Sequence, residues 1–100
     1  MSMTMMLESP DYDNTVSLQV ASNAGWNAAA VWMASLPNQY NSVRELGNSG
    51  HGTNTANLAR QLVNALSAYP PEKQAVRHTI EGMIRSLDGG SPVESLTVTP

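Results

Sequence analysis

Apolar residues recur at helical spacing through four segments of this chain, and near both ends they alternate with polar ones. In GWNAAAVWMASL a turn of about 100° per residue sets Trp26, Ala29, Ala30, Met33 and Leu36 on one face. Trp32 flanks that face, while Val31 falls opposite with Asn27 and Ser35. Almost the whole circumference is apolar or small, so a helix over 23–36 is the expected centre of the fold. Ser22 or Asn23 can cap it. Pro37 ends it, because proline has no N–H to donate and disfavours the α conformation at Leu36.

Tyr40, Val43 and Leu46 repeat the helical spacing and predict a short helix over 39–46, with Gly47 as the left-handed residue that stops it. A third helix is expected over 55–68. Ala59, Leu62, Val63 and Leu66 line its inner side, Ala56 and Leu58 sit at the margins, and Asn57, Arg60, Gln61 and Asn64 face away. The fourth runs over 71–87 on Val76, Ile80, Met83, Ile84 and Leu87. Pro71 and Glu72 suit its first turn, and Gly89–Gly90 suits its stop.

Strict alternation appears in TVSLQVA, where Val16, Leu18 and Val20 are two apart, and in VESLTVT, with Val93, Leu96 and Val98. A short two-stranded ribbon from 15–20 and 93–98 is expected, and helices must cover it because an isolated ribbon is marginal. Residues 1–14 hold four methionines among polar residues and show no clear period, which predicts a mobile arm. The fold expected is therefore mainly α: four helices in a compact bundle, one domain over 15–90, and a tail or short strand over 91–100. A chain of 100 residues has material for one core of modest depth.

Composition narrows the chemistry. Charged residues make up only 13% of the chain against 41% apolar, so much of the surface is neutral and polar. Such a surface suits contact with a protein partner, since few charges must be desolvated. There is no cysteine, which excludes disulfides and thiol chemistry. Two histidines and eight scattered carboxylates do not predict a metal site. MSMTMMLESP lacks the basic segment and long apolar core of a signal peptide. No apolar run approaches the roughly 20 residues of a membrane span, so a cytoplasmic location with no membrane contact is expected.

GNSGHGTN, residues 47–54, holds three of the seven glycines and precedes a helix whose free N–H groups attract anions. Gly47 and Gly52 match the glycines of the phosphate loop G-x-x-x-x-G-K-[ST], which makes phosphate or nucleotide binding over Gly47–Thr55 an alternative function. Against it, Thr53 replaces the lysine, Asn54 replaces the magnesium-binding hydroxyl, and QYNSVREL upstream has helical rather than strand spacing. The structural alternative is a joint between helices, with His51 at its tip. Arg60, Lys73, Arg77 and Arg85 come from the third and fourth helices and allow a nucleic-acid-binding regulator as a further alternative. Five basic residues against eight acidic ones give weak phosphate attraction, so nucleic acid is the weaker reading.

Tyr12-Asp13-Asn14-Thr15 followed by Trp26 and Trp32 is similar to tryptophan-containing small proteins of phages and plasmids. In size, acidity and neutral surface the chain resembles small phage-encoded proteins that block host defence, anti-CRISPR proteins among them. That resemblance is one of kind and transfers no site residues. It implies a non-enzymatic inhibitor that binds a host protein stoichiometrically, in the host cytoplasm. The expectation is then a protein-binding module with no catalytic residue, cofactor or metal. Its partner-binding candidates are Trp32, Asn57, Arg60, Asn64, Arg77, Arg85 and His51. Surplus apolar surface on the first helix also allows a symmetric homodimer.

Overall fold

A computed structural model describes residues 2–8, 16–87 and 95–99. The four expected helices are present: α1 (Asn23–Ala34), α2 (Asn41–Ser49), α3 (Thr55–Ala68) and α4 (Gln74–Leu87), with a 3-10 turn at Asn38–Tyr40 before α2. The fold is mainly helical. α1 packs on α2 and α4, α2 on α3, and α3 on α4, so the helices close a ring in chain order. Ser22 is the cap of α1, its Oγ accepting from the Gly25 N–H at 3.1 Å.

Both alternating ends are strands, β2 (Val16–Ser22) and β4 (Ser95–Thr99), within a sheet larger than a ribbon. The order is β2-β1-β4-β3, with each neighbouring pair antiparallel. β1 (Ser2–Glu8) lies between β2 and β4, which corrects the expectation of a mobile arm over those residues. Hydrogen bonding along both of its sides fixes a segment that has no marked period of its own. β3 (His51–Thr53) is the far edge. The expectations for 9–14, for Gly89–Gly90 and for Val93 lie outside the described residues, as does the burial of Val16, Leu18 and Val20.

The core joins the two layers. Met3, Leu96 and Val98 from the sheet meet Trp26, Ala29, Met33, Leu36, Tyr40, Val43, Leu46, Leu58, Leu62, Ala65, Val76, Ile80 and Met83. A fully buried side chain such as Met33, Leu46, Leu62 or Ile80 contributes roughly 1.5–3 kcal/mol. No helix among the described residues is long and apolar enough to cross a membrane.

Three local expectations change. α2 continues past Gly47 to Ser49, and the left-handed residue that ends it is Gly50, at φ 72° and ψ 8°. Gly47 is needed for a close approach instead: a Cβ there would stand 2.8 Å from the Ala30 carbonyl oxygen and 2.9 Å from both the Ala34 nitrogen and the Met33 Cβ. In α3 the buried stripe is Thr55, Leu58, Ala59, Leu62 and Ala65, while Val63 is 50% exposed. Leu58 is drawn inward because β3 lies beneath it, its Cδ2 only 3.1 Å from where a Gly52 Cβ would stand. α4 begins at Gln74 rather than Pro71, since the Lys73 carbonyl accepts from the N–H groups of both Val76 and Arg77.

Candidate protein-binding surface

α3 rises from the sheet edge through Asn54, which adopts φ 51° and ψ 64° and makes no side-chain cap. Asparagine tolerates this left-handed conformation better than most residues. The inner stripe of α3 seats on the core, and its flank is held by Gln61. Gln61 Oε1 accepts from the backbone N–H of Ser42 at 3.2 Å and of Val43 at 3.4 Å, and its Nε2 donates to Asn41 Oδ1 at 3.1 Å. Tyr40, at the cap position of α2, makes no side-chain cap bond, so Gln61, with Asn41 Oδ1 accepting from the Ser42 N–H at 2.9 Å, serves N–H groups of the helix start. The glutamine thereby fixes the roll of α3 about its axis.

With that roll, α3 turns Ala56, Arg60, Val63, Asn64 and Ser67 to solvent, with Asn57 half-buried at the border. Val63 is the apolar residue at one border of this face, and Arg60 carries its single charge. Among the described residues, the side chains of Asn57, Arg60 and Asn64 make no hydrogen bond or ion pair. Arginine offers five donors in a planar fork, and each asparagine offers both donors and an acceptor. The face therefore combines an accessible apolar contact with unengaged directional groups.

The other candidates stand apart from it. Trp32 is half-buried, and its Nε1–H donates to the Tyr69 carbonyl at 3.0 Å, tying α1 to the end of α3. The Tyr69 ring meets Tyr40 edge-on, at 6.0 Å between centroids. Trp32 thus has a structural partner within the chain. Arg85 is exposed and Arg77 half-buried on α4, with Glu81 one turn before Arg85. His51 is exposed at the sheet edge, its Nδ1 lying 3.2 Å from Thr97 Oγ1 and its backbone N–H donating to Ser49 Oγ at 3.2 Å. Of the candidates, Asn57, Arg60 and Asn64 share the outward side of α3.

The glycine segment is a helix end followed by an edge strand. The Gly50 N–H closes α2 on the Leu46 carbonyl at 2.8 Å, and the Gly50 carbonyl accepts from Val98 N–H at 2.7 Å. Gly52 is buried, with Leu58, Leu96 and Leu46 around the place a Cβ would take. Both glycines that matched the phosphate loop, Gly47 and Gly52, are thus engaged in internal packing. The joint between helices has become a strand of the sheet. Among the described residues, no group of three or more His, Asp or Glu could hold a metal ion.

No family model matches the chain. Neither a curated protein nor a solved structure matches it significantly. The surface is therefore interpreted from its own chemistry. Sequence spacing missed two of its features, the exposure of Val63 and the fastening by Gln61. Val63 sits 100° around the helix from Leu62, at the rim of any apolar stripe. Gln61 bonds across a separation of 18 to 20 residues, which local spacing does not encode.

Proposed function

We propose that this protein is a non-enzymatic protein-binding module whose outward face of α3 contacts the partner. One observation supports the reading: Asn57, Arg60 and Asn64, without hydrogen-bond partners among the described residues, lie on the same outward side of α3 as a valine that is 50% exposed. Interfaces commonly place an apolar centre within hydrogen-bonding groups, and arginine is enriched among the residues that dominate binding energy. A face with one charge also incurs little desolvation penalty. The complementary partner surface has an apolar depression beside a carboxylate or exposed carbonyls that receive the Arg60 donors. The finer proposal is a phage-encoded, stoichiometric inhibitor of a host defence complex, acting in the host cytoplasm.

Capture from bacterial lysate tests the reading with two baits, the full chain and its Arg60→Glu/Val63→Asp variant. The expected result is one host protein in near-equimolar yield on the wild-type bait and its loss on the variant. Far-UV circular dichroism shows whether the variant keeps its helices. Equal capture by a folded variant contradicts the assignment of the surface. Capture of nothing by the wild type removes the protein-binding reading.

A further inference from the structure

Three of the chain's five aromatic residues are joined in one cluster. The Trp32 indole N–H donates to the Tyr69 carbonyl at 3.0 Å, and the Tyr69 ring meets Tyr40 at 85° with centroids 6.0 Å apart. Tyr40 is buried and anchors the Tyr69 ring, which remains 45% exposed, while Trp32 is half-buried. An edge-on contact covers at most one face of one ring, so aromatic surface stays open to solvent. The faces of such rings carry the negative part of their quadrupole and attract cations, tryptophan most strongly. Among the described residues no Lys or Arg occupies that place. Arg44 instead donates to the Leu36 carbonyl.

A second observation has the same sign. Trp32 lies in the last turn of α1 and Tyr69 is the C-cap of α3, so the bond between them brings two helix C-termini together. Each such end carries a partial negative charge, which basic side chains in the last turn commonly offset. Neither α1 nor α3 has a basic residue there. We propose that the Trp32–Tyr69 cluster binds a quaternary ammonium group. A primary ammonium is strongly hydrated and needs acceptors in exchange for its water. Here the Tyr69 carbonyl is taken by the indole, and no carboxylate among the described residues bonds to any of the three side chains. A trimethylammonium group has no N–H to satisfy, so ring faces and helix ends suffice to hold it. The site is independent of the partner-binding face of α3.

Titration of the full chain with choline at constant ionic strength, followed by the NMR signals of the indole N–H groups, is the test. The Trp32 signal, identified by its loss in Trp32→Phe, is expected to shift saturably while that of the buried Trp26 stays in place. Dimethylbutanol, the neutral isostere with carbon in place of nitrogen, is expected to bind about tenfold more weakly. Tyr69→Phe is expected to keep the affinity and Tyr69→Leu to lose about threefold or more, with amide dispersion reporting that each is folded. Ala68→Lys places a cation in the last turn of α3 and is expected to weaken choline binding about two- to fivefold. A peptide bearing one trimethyllysine is titrated in parallel, and the tighter ligand names the source of the group. No saturable shift of the Trp32 signal with either ligand overturns the proposal. So does equal affinity for the neutral isostere, or binding indifferent to both Tyr69→Leu and Ala68→Lys.

Discussion

α1 and α3 stand at opposite corners of the helical ring, and each carries one large apolar residue on its outer side, Val31 at 71% exposure and Val63 at 50%. Their surroundings differ. Val31 lies in a row of Ala, Asn and Ser on a helix without a single charge, and α1 is held by backbone approach at Gly47. Val63 lies beside Arg60 and Asn64 on a helix whose roll is set by hydrogen bonds from Gln61. One helix presents a neutral outer row. The other presents unengaged directional groups to solvent.

The inner faces of both helices should respond alike and most strongly. Met33→Ala in α1 and Leu62→Ala in α3 each remove a side chain with no exposed surface, and each should lower unfolding free energy by about 2–5 kcal/mol in urea titrations. A large inequality between them would show that one layer of the core is looser than described. Gly47→Ala should cost about 1–3 kcal/mol, because the added carbon stands under 3 Å from the backbone of α1. Thermal melts can check it, and an unchanged melting temperature would deny the close approach.

Gln61→Ala should remove about 0.5–2 kcal/mol, the usual range for a lost helix cap. Amide hydrogen exchange locates that loss, with faster exchange expected at Ser42 and Val43. The smallest effects belong to the outer faces. Val31→Asp and Val63→Asp should each change stability by no more than about 0.5 kcal/mol, yet Val63→Asp should abolish partner capture while Val31→Asp leaves it intact. Loss of capture by both, or by neither, would erase the distinction between the two corners.

How far the sequence reveals this structure depends on whether a segment's neighbours are local. The four helices are legible because a period near 3.6 needs only one core-facing side. Tyr40 at the start of α2, Val43 and Leu46 within it, and Val76, Ile80 and Met83 on α4 are all buried as their spacing predicts. The outward phase of Asn57, Arg60 and Asn64 is legible for the same reason. β1 is not, because Met6 interrupts the alternation of Ser2, Met3, Thr4 and Met5, and methionine has little strand preference. β3 is three residues with a glycine at its centre, and only pairing with β4 makes it a strand. The glycine spacing has a structural account, because glycine serves three needs there: helix contact at Gly47, positive φ at Gly50 and burial beneath Leu58 at Gly52.

Site-specific photocrosslinking compares the two corners most directly. A photoreactive phenylalanine derivative is placed singly at position 63 or position 31 of the full chain, and each protein is irradiated in bacterial lysate. The account predicts that position 63 yields one discrete adduct with a host protein, and that position 31 yields none with that protein. An adduct with the same host protein from position 31 but not from position 63 would contradict the assignment of partner binding to α3.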